Sequence, residues 1–328
     1  MEKRLPLILF FSIFVFLSVN LNSVFAQNLN QEQKIQILLW AEKEAFPGFV
    51  WNEEEKNLDF NFRAENINKL KIEVTDEYQD NENTKIISIA QITNVLGYLA
   101  PIKEICAFAH QHDIVVCVDG AQSAPHHVID VEDLDVDFFA FSGHKMCGPT
   151  GVGVLYGKYH LLEEMTPTRF GGGSNARYNS CGLVKLKNAP TKFESGTPNI
   201  EGVIGLGSAI EYLQKIGMKN IEEHEAMLRK YAIEKMKELD NIEIYNENGV
   251  GPIAFNIKNV FSQDGASLFN TYGIAIRAGQ HCAKILDEYL HVSQTLRASF
   301  YFYNTKEEID QFIEVCKKGD DFLDAFFG

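Results

Sequence analysis

Positive charge is what this chain of 328 residues lacks: 30 Lys and Arg stand against 45 Asp and Glu, a formal net charge of −15. A protein that grips a nucleic-acid backbone presents a basic face. Nucleic acid is therefore excluded as a partner. Cysteine is also scarce, and the six residues at 106, 117, 147, 181, 282 and 316 form no CxxC pair and no zinc-like spacing. Such usage excludes a disulfide framework and fits a reducing compartment. Cys106, Cys117 and Cys316 sit in apolar or helical runs and read as small core residues. Beyond the N-terminus no run is apolar enough to cross a membrane. The Gly171-Gly172-Gly173 run has no Lys-Ser/Thr behind it, so it is no nucleotide phosphate loop. His126, His127 and His281 have no metal-ligand spacing, and no metal is expected.

What is present begins with a leader-like segment. Lys3-Arg4 precede an apolar run from Leu5 to Val19, and Val24-Phe25-Ala26 resembles a small-residue cleavage site. Residues 1–26 are set aside on that ground, with import and secretion both open. The remainder, 45% hydrophobic and 23% charged, has ordinary globular composition. A helix is expected over 33–46, a strand over 69–74 and a polar loop over 75–84. "KIISIAQITNVLG" reads as a buried strand turning at Asn94. Pro101 opens a helix with Ile102, Ile105, Cys106 and Ala109 on one face. "DIVVCVDGAQ", "DVDFFAFSGHK" and "GVGVLYG" are short continuous apolar runs, the style of parallel strands covered on both faces. Two helices follow, over 199–217 and 220–239. From about Asn241 the pattern becomes strands "IEIYN", "GPIAFNI" and "GIAIRAG" alternating with helices over 263–271 and 306–325. The expectation is an α/β sheet domain over 27–240 and a smaller α+β C-terminal domain over 241–328.

In open α/β sheets, ligands bind at the carboxyl ends of strands. Asp119 ends one strand and Lys145 follows another, after Phe138-Phe139-Ala140-Phe141. A lysine in "SGHKMCGPTG" reads either as a solvated turn residue or as a lysine desolvated for Schiff-base chemistry. A carboxylate and a lysine at neighbouring strand ends make a simple ion pair, and they also suit pyridoxal phosphate. The lysine forms an imine with the aldehyde, and the carboxylate keeps the pyridine nitrogen protonated. Gln122 is placed to donate to the ring's phenolate oxygen, and Ser142 and His144 to bond the phosphate.

The longer motifs are more specific. "VDGAQSAPH", "FFAFSGHKMCGPTGVGVLYGK" and "KFESGTPNIEGVIGLGSAIEYL" closely resemble the class V aminotransferase family, nearest to its cysteine desulfurase, SufS-like type II, branch. "RAGQHCA" at 277–283 resembles that branch's active-site loop. The resemblance runs from about residue 87 to 313. It implies a pyridoxal-phosphate transferase of fold type I and a homodimer. It also implies L-cysteine as substrate, iron–sulfur cluster assembly as destination and a separate sulfur-acceptor protein. It makes Lys145 the Schiff-base lysine and Cys282 the nucleophile that receives sulfur, with His281 beside it in the catalytic set. Asp119, Gln122, Ser142, His144 and Thr197 would hold the cofactor, Thr197 reaching the other subunit's phosphate. Asn94, Arg277 and Arg297 would hold the substrate.

Plainer roles stand beside these. Thr197 reads equally as an N-cap for the helix after Pro198, Arg297 as a surface cation, and Cys282 as an inert small residue. Relative to the family the N-terminal part is missing, including a helix start that holds the phosphate. Gln33 stands where the family has a ring-stacking histidine, and an amide does not shuttle protons as imidazole does. The alternatives are therefore a non-catalytic truncated homologue that dimerises with or regulates a full-length desulfurase, and a selenocysteine lyase. Persulfide chemistry needs a reducing environment, so the expected location is cytoplasmic or organellar.

Overall fold

The computed structural model describes residues 84–178 and 184–321, together with the backbone of three short strands, β1 (Ile37–Leu38), β2 (Val50–Asn52) and β3 (Asn57–Asp59). The leader, Gln33, the strand expected over 69–74 and Cys181 lie outside the described residues. The helix expected over 33–46 is corrected where it can be read. Ile37–Leu38 pair in parallel with Ile86 and Ile87, a strand contact that overrides local helical periodicity. Chain contacts divide the molecule into two units.

The first unit comprises 1–89, 101–120 and 130–212. Its sheet runs β1-β4-β5-β6-β7, with β4 at Ile86–Ala90, β5 at Val115–Asp119, β6 at Phe138–Ser142 and β7 at Gly153–Gly157. Between β4 and β5 lies α1 (Ile102–His110), which buries Ile102, Ile105, Cys106 and Ala109, the four residues its spacing selects. β5 and β6 pair in parallel, Asp119 opposite Ala140. β7 does not. It returns antiparallel to β6, with Ser142 opposite Gly153, and α2 (Tyr159–Glu164) and the antiparallel pair β8 (Asn175–Tyr178) and β9 (Val184–Leu186) come after it. The connection over 143–152 holds one 3-10 turn, far too short for the crossover a parallel strand needs. An apolar run records burial, and chain direction is not written in it.

The start of β6 is pinned by charge. Asp137, 5% exposed, accepts a hydrogen bond from the Val116 amide at 2.7 Å and pairs with His110 at 2.9 Å and Lys158 at 2.9 Å. A buried carboxylate is tolerated because it is multiply partnered. The result fixes the strand whose far end leads into Lys145.

The second unit comprises 90–100, 121–129 and 213–328. Four antiparallel strands, β10 (Ile242–Ile244), β11 (Ile253–Ile257), β12 (Arg277–Gly279) and β13 (Thr295–Ala298), lie in the order β10-β11-β13-β12. Helices α4 (Met218–Met236), α5 (Ser262–Thr271) and α7 (Lys306–Lys317) contribute Leu228, Met236, Leu268, Phe269, Phe312 and Cys316 to the core beside Phe255. The helix expected over 220–239 is present as α4. That over 306–325 closes its α-helical part at Lys317, and 322–325 lie outside the described residues.

Candidate active site

In the first unit, Asp119 is the last residue of β5. The Gly120 amide donates to the Ala140 carbonyl at 2.7 Å, and a Cβ on Gly120 would lie 2.1 Å from the Phe139 ring. Glycine is required there so the two strand ends can run side by side. β6 ends at Ser142 and the chain turns through Gly143-His144-Lys145. The turn is closed by three bonds around Gly143, whose amide donates to the Val152 carbonyl at 2.9 Å. Its carbonyl accepts from Met146 at 3.0 Å and Gly148 at 2.9 Å. Lys145, Asp119 and Ser142 are half-buried, and His144 is exposed. Lysine and carboxylate thus sit at the carboxyl ends of adjacent parallel strands, where an α/β sheet binds ligands.

Thr197 is exposed in the segment before α3 (Ile200–Ile216). The cap it was offered for belongs to another residue: Asn199 Oδ1 accepts from the Gly202 amide at 3.0 Å.

The second unit gathers Asn94, Arg277, His281, Cys282 and Arg297. Arg277 of β12 and Arg297 of β13 lie directly opposite one another. Like charges so placed repel, and burial together with Arg277 pulls the Arg297 pKa down. Arg297 Nη1 donates to the Asn94 carbonyl at 2.9 Å, while its buried Nε has no partner. The arrangement favours an anion. Cys282 is exposed and close enough to Arg297 to act on its charge. Both His281 (φ 49°) and Cys282 (φ 62°) take the left-handed conformation. For residues with a side chain this costs about 1–2 kcal/mol each and persists only where surroundings enforce it.

His281 is 3% exposed, and its Nε2 donates to the Thr295 carbonyl at 2.9 Å. Burial and the two arginines push its pKa down to about 4, so the ring is neutral at neutral pH. A carbonyl accepts only, so the proton is on Nε2 and the partnerless buried Nδ1 is an acceptor. Asp287, in α6 (Lys284–Tyr289), is also buried, and burial pushes its carboxyl up to about 6.

These two groups oppose each other in acid. Unfolded His281 takes a proton near 6.5 and folded His281 only near about 4, so its contribution is lost as pH falls through that window. Asp287 is the reverse: the folded state takes up its proton near about 6 and the unfolded state near 3.8. Each pKa unit is worth about 1.4 kcal/mol, so the two largely cancel. Relative to wild type, Asp287→Asn is expected to lose stability between pH 6.5 and 4, and His281→Asn to gain it. Urea denaturation across that range reads the slopes; parallel curves would refute the assignment.

Gln122 is half-buried on the segment 121–129. That segment is tied to α4 by His126 Nδ1 to Glu225 at 2.8 Å and His127 Nδ1 to Glu222 at 2.9 Å. Tyr301 Oη donates to the Pro125 carbonyl at 3.0 Å. These histidines thus serve as tethers. Sequence reasoning missed Asn246 entirely. Its buried amide donates to the carbonyls of Val95, Leu96 and Pro252 at 3.2, 3.0 and 2.7 Å, and accepts from the Ala254 amide at 2.9 Å. In "YNENGVGP" it reads as an ordinary turn residue, and no local signal distinguishes it.

A profile of the class-V aminotransferases matches residues 23–312. The chain belongs to that family. Among class-V relatives, a probable cysteine desulfurase of Halalkalibacterium halodurans is 49% identical over 249 residues, 75% of this chain and 61% of the relative. The cysteine desulfurase of Haloferax volcanii is 38% identical over 311 residues, 89% of this chain and 72% of its own. Among solved structures, the cysteine desulfurase CsdA (S-sulfonic acid) of Escherichia coli aligns with a TM-score of 0.71 at 40% identity. The alignment covers 73% of this chain and 60% of that one. The chain thus spans about three fifths of the length of several relatives it matches. The class-V fold, that of the fold type I pyridoxal-phosphate transferases, is the one expected from the motifs. Among the described residues no helix is long and apolar enough to cross a membrane.

Proposed function

We propose that this chain acts as a pyridoxal-phosphate-dependent cysteine desulfurase: L-cysteine and the Cys282 thiol give L-alanine and a Cys282 persulfide. The observation that carries the reading is Cys282 itself, exposed on a left-handed turn within electrostatic reach of Arg297. The donor set of the first unit fits the cofactor. Lys145 offers an amine for the aldehyde, Asp119 a carboxylate for the pyridinium, and Ser142 and His144 donors for the phosphate. Gln122 offers an amide for the phenolate oxygen. When bound, pyridoxal phosphate supplies an electron sink for charge developing at Cα.

The chain's own groups then divide the work. The opposed Arg277 and Arg297 bind the α-carboxylate, which relieves their mutual repulsion. The Lys145 amine takes the Cα proton. The Cys282 thiolate, the nucleophilic form, attacks the substrate sulfur; the Cβ–S bond breaks, its electron pair stays on the carbon side, and Cβ takes up a proton to become the alanine methyl. His281, neutral and bonded to Thr295, holds the turn and keeps its proton.

A homodimer is part of the proposal. Ile200, Val203 and Ile204 are 55%, 57% and 66% exposed along α3, an i, i+3, i+4 apolar stripe just beyond Thr197. The sulfur acceptor is a separate protein, iron–sulfur cluster assembly the destination, and a cytoplasmic or organellar reducing compartment the setting. Incubating the cofactor-loaded chain with L-cysteine is expected to release alanine and add one sulfur atom to the Cys282 peptide, read by mass spectrometry. Alanine without that added sulfur would overturn the mechanism, and no alanine at all would overturn the activity.

A further inference from the structure

We propose that Asn94 is a positioning residue that holds the Cys282 turn in its sulfur-accepting shape through the His281 carbonyl. This rests on the reading of Cys282 as the sulfur acceptor. The Asn94 side-chain amide donates to the His281 carbonyl at 2.7 Å. That carbonyl lies between the two left-handed residues, whose conformation needs an external hold. Thr295 holds the His281 ring, and Asn94 holds its backbone.

A clip works only if it is itself fixed. The Asn94 turn is closed by Thr93 and Ala100, whose amides donate to the Tyr98 and Gln91 carbonyls at 3.0 and 2.8 Å. Asn246 gathers the Val95 and Leu96 carbonyls, and the Val250 amide donates to the Gly97 carbonyl at 2.8 Å. Gly97 has φ 62°, and a Cβ there would lie 1.8 Å from the Val250 carbonyl oxygen. Arg297 reaches the same turn through the Asn94 carbonyl. One rigid turn therefore contacts both the carboxylate-binding arginine and the nucleophile's loop.

The isosteric Asn94→Asp keeps the shape and removes the donor. The Ala283 amide, which donates to the Gln280 carbonyl at 2.8 Å across the turn, reports on it. In the cofactor-free protein, hydrogen exchange at Ala283 is expected to speed about tenfold or more in the variant, with β11 exchange unchanged. In the loaded enzyme, kcat is expected to fall about tenfold, by more than KM for L-cysteine rises. Unchanged Ala283 exchange overturns the proposal. A raised KM with unchanged kcat and unchanged exchange returns Asn94 to carboxylate binding. Should Asn94→Asp lose β11 protection, Asn94→Ala, which adds no charge, decides by the same exchange. The Ala283 readout needs neither cofactor nor substrate. It survives even if wild type forms no persulfide, so the two readings fail separately.

Discussion

Cys282→Ala is expected to lower cysteine-dependent alanine formation by at least about a thousandfold, the scale on which a covalent nucleophile matters, while leaving the cofactor's absorbance intact. The substitution removes one exposed sulfur and adds no bulk, so the fold has no reason to change. The cofactor-holding groups proposed in the first unit lie far from Cys282 in the chain. Cys147 is the control. It too is exposed and left-handed, at φ 61°, and stands two residues past Lys145. Cys147→Ala is expected to keep activity within about twofold of wild type, the range of surface substitutions. Buried Cys106 and half-buried Cys117 have thiols pushed up to about 12 by desolvation, which leaves them protonated and unreactive at neutral pH. A loss in Cys147→Ala as large as in Cys282→Ala would refute the choice of nucleophile.

Lys145→Ala is expected to abolish both activity and covalent attachment of pyridoxal phosphate. The reason is chemical: the ε-amine is at once the group that binds the aldehyde and the base for the Cα proton, and alanine replaces neither. The fold should tolerate the change, because the turn is closed by backbone bonds around Gly143. Borohydride treatment followed by peptide mapping decides it. Label on the 140–157 peptide of wild type and none in the variant is the expected result. Wild-type labelling of the variant would show that another lysine carries the cofactor. Two other lysines of the first unit are committed elsewhere, Lys158 to Asp135 and Asp137 and the buried Lys192 to Glu163.

Much of this was legible without coordinates. The buried face of α1, the strand ends carrying Asp119 and Lys145, and the helices α4 and α5 follow from spacing. Local periodicity and turn chemistry act over a few residues and are written in them. The leader and Gln33 remain sequence observations, since they lie outside the described residues.

Other features depend on which distant segments meet. The reversal of β7, the existence of β13 and the transfer of the cap from Thr197 to Asn199 are of this kind. So are the face-to-face arginines: nothing in "IRAG" or "LRAS" says that Arg277 and Arg297 are opposite, because strand register is settled by the whole sheet. Asn246 and Asn94 look like loop asparagines in the sequence. Each satisfies carbonyls brought to it by segments far along the chain, at separations such as 151 and 187 residues. The amino-acid sequence determined the chemistry available here, a lysine, a carboxylate and a cysteine in recognisable surroundings. Tertiary structure alone decided which polar groups hold that cysteine in place, because buried donors and acceptors must be matched in space, whatever their order along the chain.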